Sequence, residues 1–230
     1  MPGTARPTTR QLLVEVRDVA TDLPALLTAP LYRSQHLRRG ATPAEVAAPL
    51  PGDGLVENAQ YQSTRAISIA APPEAVWPWL VQVGCLRAGW YSNDLLDNLA
   101  HPSATDLIPD LQHIEVGQRV PMSPKPSAST SLKVHNFVAN QWLLWTTPDS
   151  TWSWQLTLTD DGTRLITRIN TRYDWRHPLS AVLGLVLMEF GDFAMLRRML
   201  EGIKDRAEAH RHDATQPVGP PDLARTVDAR

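Results

Sequence analysis

Residues 151–175 read TWSWQLTLTDDGTRLITRINTRYDW, and this stretch constrains the fold more than any other. Two runs with a two-residue period flank the turn Asp160-Asp161-Gly162, which predicts an antiparallel hairpin. In the first run Trp152, Trp154, Leu156 and Leu158 share one face, and Ser153, Gln155, Thr157 and Thr159 share the other. In the second run Leu165, Thr167, Ile169, Thr171, Tyr173 and Trp175 share a face. Arg164, Arg168 and Arg172 take the opposite one. A sheet that is apolar on one side needs a cover. The three arginines are expected on a wet outer face rather than in a phosphate-binding ladder.

The rest of the chain supplies more strands and one element long enough to cover them. Segments 64–71, 117–122, 131–139 and 141–147 are further strand candidates, the last two joined by Ala139-Asn140. Two short helices are expected after the first strand, at 72–83 and 92–100. The chain then offers one amphipathic helix over about 178–210. Its stripe is Val182, Val186, Phe193, Leu196, Leu200 and Ile203, with Met188, Met195 and Met199 beside it. The polar run after Arg197 is expected to be solvated. Such a helix spans roughly 45 Å, so the sheet should curl around it in an α+β fold. Incomplete filling between the two would leave an apolar cavity. Upstream, Thr42-Pro43-Ala44-Glu45 has the pattern of a capped helix start. The expected organisation is a helical extension over 1–60, the main domain over 61–212 and a tail over 213–230.

Composition excludes several functions. A formal net charge of −2 gives no global field for nucleic acid. One cysteine rules out an internal disulfide and any multi-cysteine metal site. The most apolar run, 179–190, is too short to span a membrane and contains Glu189. With no secretory leader pattern at the N-terminus, a cytoplasmic protein is expected. No phosphate-cradling or dinucleotide motif is present, so no cofactor is expected. Eight tryptophans against three phenylalanines suit either a tryptophan core or an aromatic-lined cavity.

The candidates for chemistry are few. Cys85 has no cysteine-enzyme signature around it and reads as a small buried apolar residue. The histidines lack metal-site spacing apart from His210 and His212, on a polar helix end, so no metal is expected. His135 lies on a candidate strand and could face a cavity as acid or base. Glu189 and Asp192 sit one turn apart beside the apolar stripe. If they face the cavity, burial would raise their pKa values and suit them to proton transfer; otherwise they face solvent.

Three segments carry a family resemblance: APPEAVWPWLVQVG (71–84), RAGWYSNDLLDNL (87–99) and MEFGDFAMLRRMLEGIKDRAE (188–208). With GATPAEVAAPLPGDGLV (40–56), they resemble a mostly actinobacterial branch of the START-related, or SRPBCC, superfamily. That group includes birch-pollen-allergen-like proteins, lipid-transfer domains and aromatic polyketide cyclases. The resemblance implies a helix-grip fold, with a curved antiparallel sheet wrapped around a long C-terminal helix. It implies a cavity with Trp90 and Tyr91 at its entrance. The expected ligand-binding set is Trp90, Tyr91, Asp94, Trp145, Trp154, Tyr173, Met188, Phe193 and Met195. Glu189, Asp192 and His135 are the expected acid–base set, should the protein be a catalyst. The expected function is binding of a hydrophobic lipid- or polyketide-like molecule. The alternatives are a polyketide-type cyclase or dehydratase, and a protein-interaction domain.

Overall fold

The computed structural model of the chain describes residues 8–10, 13, 14, 16, 17, 20, 21, 33–128, 130–186, 188 and 192–215. The side chains of 180, 183, 192, 193 and 211–215 lie outside that description. Two short helices, α1 (Arg33–His36) and α2 (Pro43–Ala47), precede strand β1 (Tyr61–Ile69). Helices α3 (Pro73–Val81) and α4 (Asp94–Asp97) follow. Then come β2 (Arg119–Pro121), β3 (Ser131–Val138), β4 (Trp142–Thr147), β5 (Ser150–Thr159) and β6 (Gly162–Thr171). Helices α5 (Pro178–Val186) and α6 (Asp192–Thr215) complete the order.

The strands form one six-stranded sheet in the order β1-β6-β5-β4-β3-β2, with every pairing antiparallel. The predicted 151–175 hairpin is present, closed by the pair Thr159↔Gly162. Gly162 has φ +140°, and a Cβ there would lie 2.2 Å from the Ile69 carbonyl oxygen. Only glycine suits that turn. A bulge between Val134 and Asn136 bends β3 against β4. α6 packs against α3 and β1, and closes the apolar face of the sheet. This is the helix-grip α+β architecture.

The helix expected over 178–210 is described in two stretches, with Met188 in a π-helical conformation between them. α5 ends at Val186 and α6 begins at Asp192. The expected stripe is not uniformly buried: Leu196, Leu200 and Ile203 are buried, whereas Val182 and Val186 are exposed. The run after Arg197 is not a solvated end either. Ile203 and Ala207 are fully buried. At Gly202 a Cβ would meet the Tyr91 carbonyl oxygen at 2.3 Å, so the helix backbone lies directly on the 90s segment. Arg206 stacks over the Tyr91 ring at 4.4 Å and donates to the Ala104 carbonyl. α6 continues to Thr215, three residues into the expected tail; residues 1–7 and 216–230 lie outside the described residues.

The outer face of the sheet holds the largest departure from expectation. Arg168 is only 3% exposed. Its guanidinium donates to Thr64 Oγ1, to Asp53 Oδ2 at 2.6 Å, and to the carbonyls of Glu45, Val46 and Ala48. Arg164 pairs with both Glu45 oxygens, at 2.7 and 2.9 Å, and reaches the Gly40 carbonyl. The backbone of 37–39 adds to the β1 side through Thr64 and Ala66. Two of the three arginines thus clamp the 40–53 segment onto the sheet. Arg172 alone meets the expectation of an exposed side chain, paired with Asp149.

α2 is fixed by the expected capping box. The Glu45 amide donates to Thr42 Oγ1, and the Thr42 amide donates to Glu45 Oε2. These bonds and Arg164 hold the Glu45 carboxyl down, at about 2, with Arg164 the largest cause. A carboxyl depressed in the folded state adds stability above its unfolded pKa, which is lost as pH falls through the folded value. Acid should therefore loosen this clamp between about pH 4.5 and 2. Glu45→Gln should remove that part of the acid dependence, on the order of 2 kcal/mol, in urea titrations across this range.

Candidate functional site

Between the sheet and the C-terminal helices lies a pocket of about 490 Å³. The sheet contributes Leu132, Trp152 and Ile169, with the hydroxyls of Thr147, Ser150 and Thr171. Gly184, Met188, Met195, Leu196 and Met199 form the opposite wall. Trp90, Ser92, Leu96, Asp97 and Met122 close one end. All four methionines other than Met1 line this one space. Methionine fills irregular apolar surfaces and adapts to what it contacts.

One wall is a tryptophan cluster. Trp90 stacks on Trp152 at 5.9 Å and 12°. Trp145 and Trp154 stand behind, each 5.3 Å from Trp152. The Trp152 indole donates to Thr167 Oγ1 at 2.8 Å, which fixes its tilt. Four of the eight tryptophans are thereby gathered by the alternation of β4 and β5 and by the turn before α4.

The turn is built by unusual backbone. Leu86 and Tyr91 adopt positive φ, and Gly84 and Gly89 form an isolated bridge. Asp94 organises it: its carboxylate accepts from the amide and hydroxyl of Ser103, and Ser103 Oγ accepts from the Tyr91 amide. Burial raises the Asp94 pKa against the lowering effect of those bonds. The Tyr91 hydroxyl donates to the Trp79 carbonyl and accepts from Gln82 Nε2. Burial pushes its pKa up to about 12.

Of the expected ligand-binding residues, the pocket wall includes Trp90, Met188 and Met195. Tyr91 is not at an entrance; it is 4% exposed, with its hydroxyl bound inside the turn. Asp94 acts on that turn through Ser103. Trp145 and Trp154 are buried behind Trp152 and do not line the space. Tyr173 is buried beside Gly184, also behind the wall. The Phe193 and Asp192 side chains and all of Glu189 lie outside the described residues. His135 is exposed on β3. The alternation that places Leu132 and Val134 inside turns Lys133 and His135 out, and the bulge leaves His135 as the unpaired register position.

Thirteen of the sixteen wall residues lie outside the expected set, among them Trp152, Ser92, Asp97 and Met122. Trp152 shares the face of Trp154, so period-two alternation already pointed to it. Ser92, Asp97 and Met122 come from loop and short-helix positions that carry no periodic signal. Ser92 Oγ is buried without a hydrogen-bond partner. Burial, and after it the negative charge of Asp97, raises the Cys85 thiol pKa. Cys85 is 3% exposed. A thiol held protonated and covered should react slowly. Labelling by a disulfide reagent at neutral pH should be at least tenfold slower in the folded chain than in urea; equal rates would contradict this reading of Cys85.

No described helix is long and apolar enough to cross a membrane, and no group of three described His, Cys, Asp or Glu residues could hold a metal ion. No family model and no curated protein matches the chain. The chain is similar to solved structures at low identity. One is the Polyketide_cyc-like protein of Corynebacterium glutamicum, at 14% identity and TM-score 0.43, covering 68% of this chain and 96% of that one. Another is the AHSA1-like protein of Aeromonas hydrophila, at 15% identity and TM-score 0.35, covering 66% and 94%. A protein of Staphylococcus saprophyticus matches at 12% identity and TM-score 0.39, covering 65% and 93%. All three scores are low, and the fold assignment rests on the strand order and helix packing described above.

Proposed function

We propose that the chain binds one hydrophobic small molecule in the pocket between the sheet and helices α5 and α6. The carrying observation is the wall itself: two stacked tryptophans, four methionines and several aliphatic side chains around about 490 Å³. Small-molecule sites are concave, mostly apolar and carry few polar groups, in this size range. The polar groups sit in two places. Ser92 Oγ is a buried hydroxyl with no partner, and a ligand hydroxyl or carbonyl would satisfy it. Thr147, Ser150 and Thr171 form a second polar edge, where Ser150 and Thr171 already share a hydrogen bond of 2.8 Å. The fitting ligand is a predominantly apolar molecule with an oxygen function near Ser92.

Native mass spectrometry of protein purified from its own source tests this. A single bound mass of apolar character, released on denaturation, is the expected result. Ligand-free protein that also fails to take up the neutral probe N-phenyl-1-naphthylamine would overturn the proposal.

A further inference from the structure

Helix α5 carries two apolar stripes, and the fold uses one. Ala181 is buried in the core and Leu185 packs against it. Leu179, Val182 and Val186 form the other stripe and are 88%, 49% and 44% exposed. Trp175, just before the helix, is exposed as well. A helix that is apolar all round is normally buried all round. The spacing of the outer stripe, i, i+3 and i+7, is that of a seam between two paired helices.

The charges at its ends are of opposite sign. No residue of α5 itself is charged. Ahead of it Asp174 is paired with His177 at 3.0 Å, and Arg176 is exposed. The next charged residue along the chain is Glu189. A cation ahead of a helix opposes that helix's own dipole, whereas beside the C-terminus of another helix it is favoured.

We propose that the outer stripe of α5 docks on the same stripe of a second copy, as an antiparallel two-fold pair. Setting Leu179 against Val186 of the other copy puts Val182 beside the axis. The same register sets Arg176 opposite the chain position of Glu189, because the two pairs are centred on one point of the sequence. The surface therefore complements itself in charge as well as in apolarity. An anionic bilayer would meet Asp174 and Glu189 along with Arg176. Three aliphatic side chains and one indole supply about half of the roughly 800 Å² a side of a standard interface, so the pair should be reversible, with a dissociation constant on the order of 10 µM.

Analytical ultracentrifugation of the full chain, from about 1 to 200 µM, tests the proposal. The mass should rise from one chain to two. Leu179→Asp should raise the dissociation constant at least about tenfold. This position is exposed in the first turn, where an aspartate suits the helix dipole, so the monomer should keep its fold. Arg176→Glu and Glu189→Arg should each weaken the pair roughly fivefold, since the axis repeats the contact. Combined, they should restore the wild-type value. Leu158→Asp, at an exposed apolar position on the β5–β6 hairpin, should leave it unchanged. The proposal is overturned if the chain stays monomeric throughout, or if Leu158→Asp weakens the pair as much as Leu179→Asp. It is also overturned if the charge swap binds no tighter than its single variants. A monomeric chain that floats with phosphatidylcholine vesicles, and loses this with Leu179→Asp, would give the stripe to lipid and overturn the proposal too.

Discussion

Replacing Arg168 with methionine should destabilise the protein by about 3–5 kcal/mol and lower its melting temperature by roughly 10 °C. The side chain is buried and makes five hydrogen bonds, three of them to backbone carbonyls of 45–48. Methionine keeps the length of the aliphatic stem but leaves those carbonyls without a donor. It also leaves the Asp53 carboxylate without its charge partner, although Leu50 and Asn170 still donate to it. Removing one member of a buried ion pair is more damaging than replacing both, because the survivor stays desolvated. The damage should be local at first. Limited proteolysis should cut within 40–58 before any site in the sheet, and urea melts should show the lower midpoint. A loss below about 1 kcal/mol would mean that the segment is held by other contacts.

The second large effect concerns binding. Gly184→Trp should abolish uptake of N-phenyl-1-naphthylamine, by about a hundredfold in apparent affinity, without loss of stability. Gly184 faces the pocket, and a Cβ there would meet only the Tyr173 ring, at 3.7 and 3.8 Å. An indole built on that Cβ has roughly 200 Å² of surface to place, and the pocket is the space open to it. The substitution also removes a glycine from a helix, which is worth about 0.5 kcal/mol in the stabilising direction. Lost binding with an unchanged or raised melting temperature therefore separates occlusion from unfolding. Full binding by a well-folded variant would place the probe elsewhere.

Much of this architecture was legible before any coordinates. The two-residue period in 151–175 gave both strands, their turn and most of their inward faces, because one-sided burial imposes that period; Leu158 near the turn and Trp175 beyond β6 are exposed instead. Thr42 and Glu45 announced their capping box in the same local way. Non-local facts were not legible. Alternation placed Arg164 and Arg168 on the outer face, but their cover comes from residues more than a hundred positions away. The helical period over 178–210 could not show that Val182 and Val186 stay exposed while Leu196, Leu200 and Ile203 are buried, since apolar residues fall on both sides of α5. Alternation likewise grouped Trp152 with Trp154. Which of them borders the pocket depends on the stacking of Trp90 from a turn held by Asp94 and Ser103. His135 shows the converse: the period that buries Val134 was enough to turn it outward.

Occupation of the pocket can be read directly at its methionines. In a chain labelled with 13C at the methionine methyls, Met122, Met188, Met195 and Met199 report on one space. Titration with N-phenyl-1-naphthylamine should shift these four methyl resonances together, saturating at one probe per chain. Saturable binding that leaves those four resonances in place would contradict a ligand site between the sheet and the C-terminal helices.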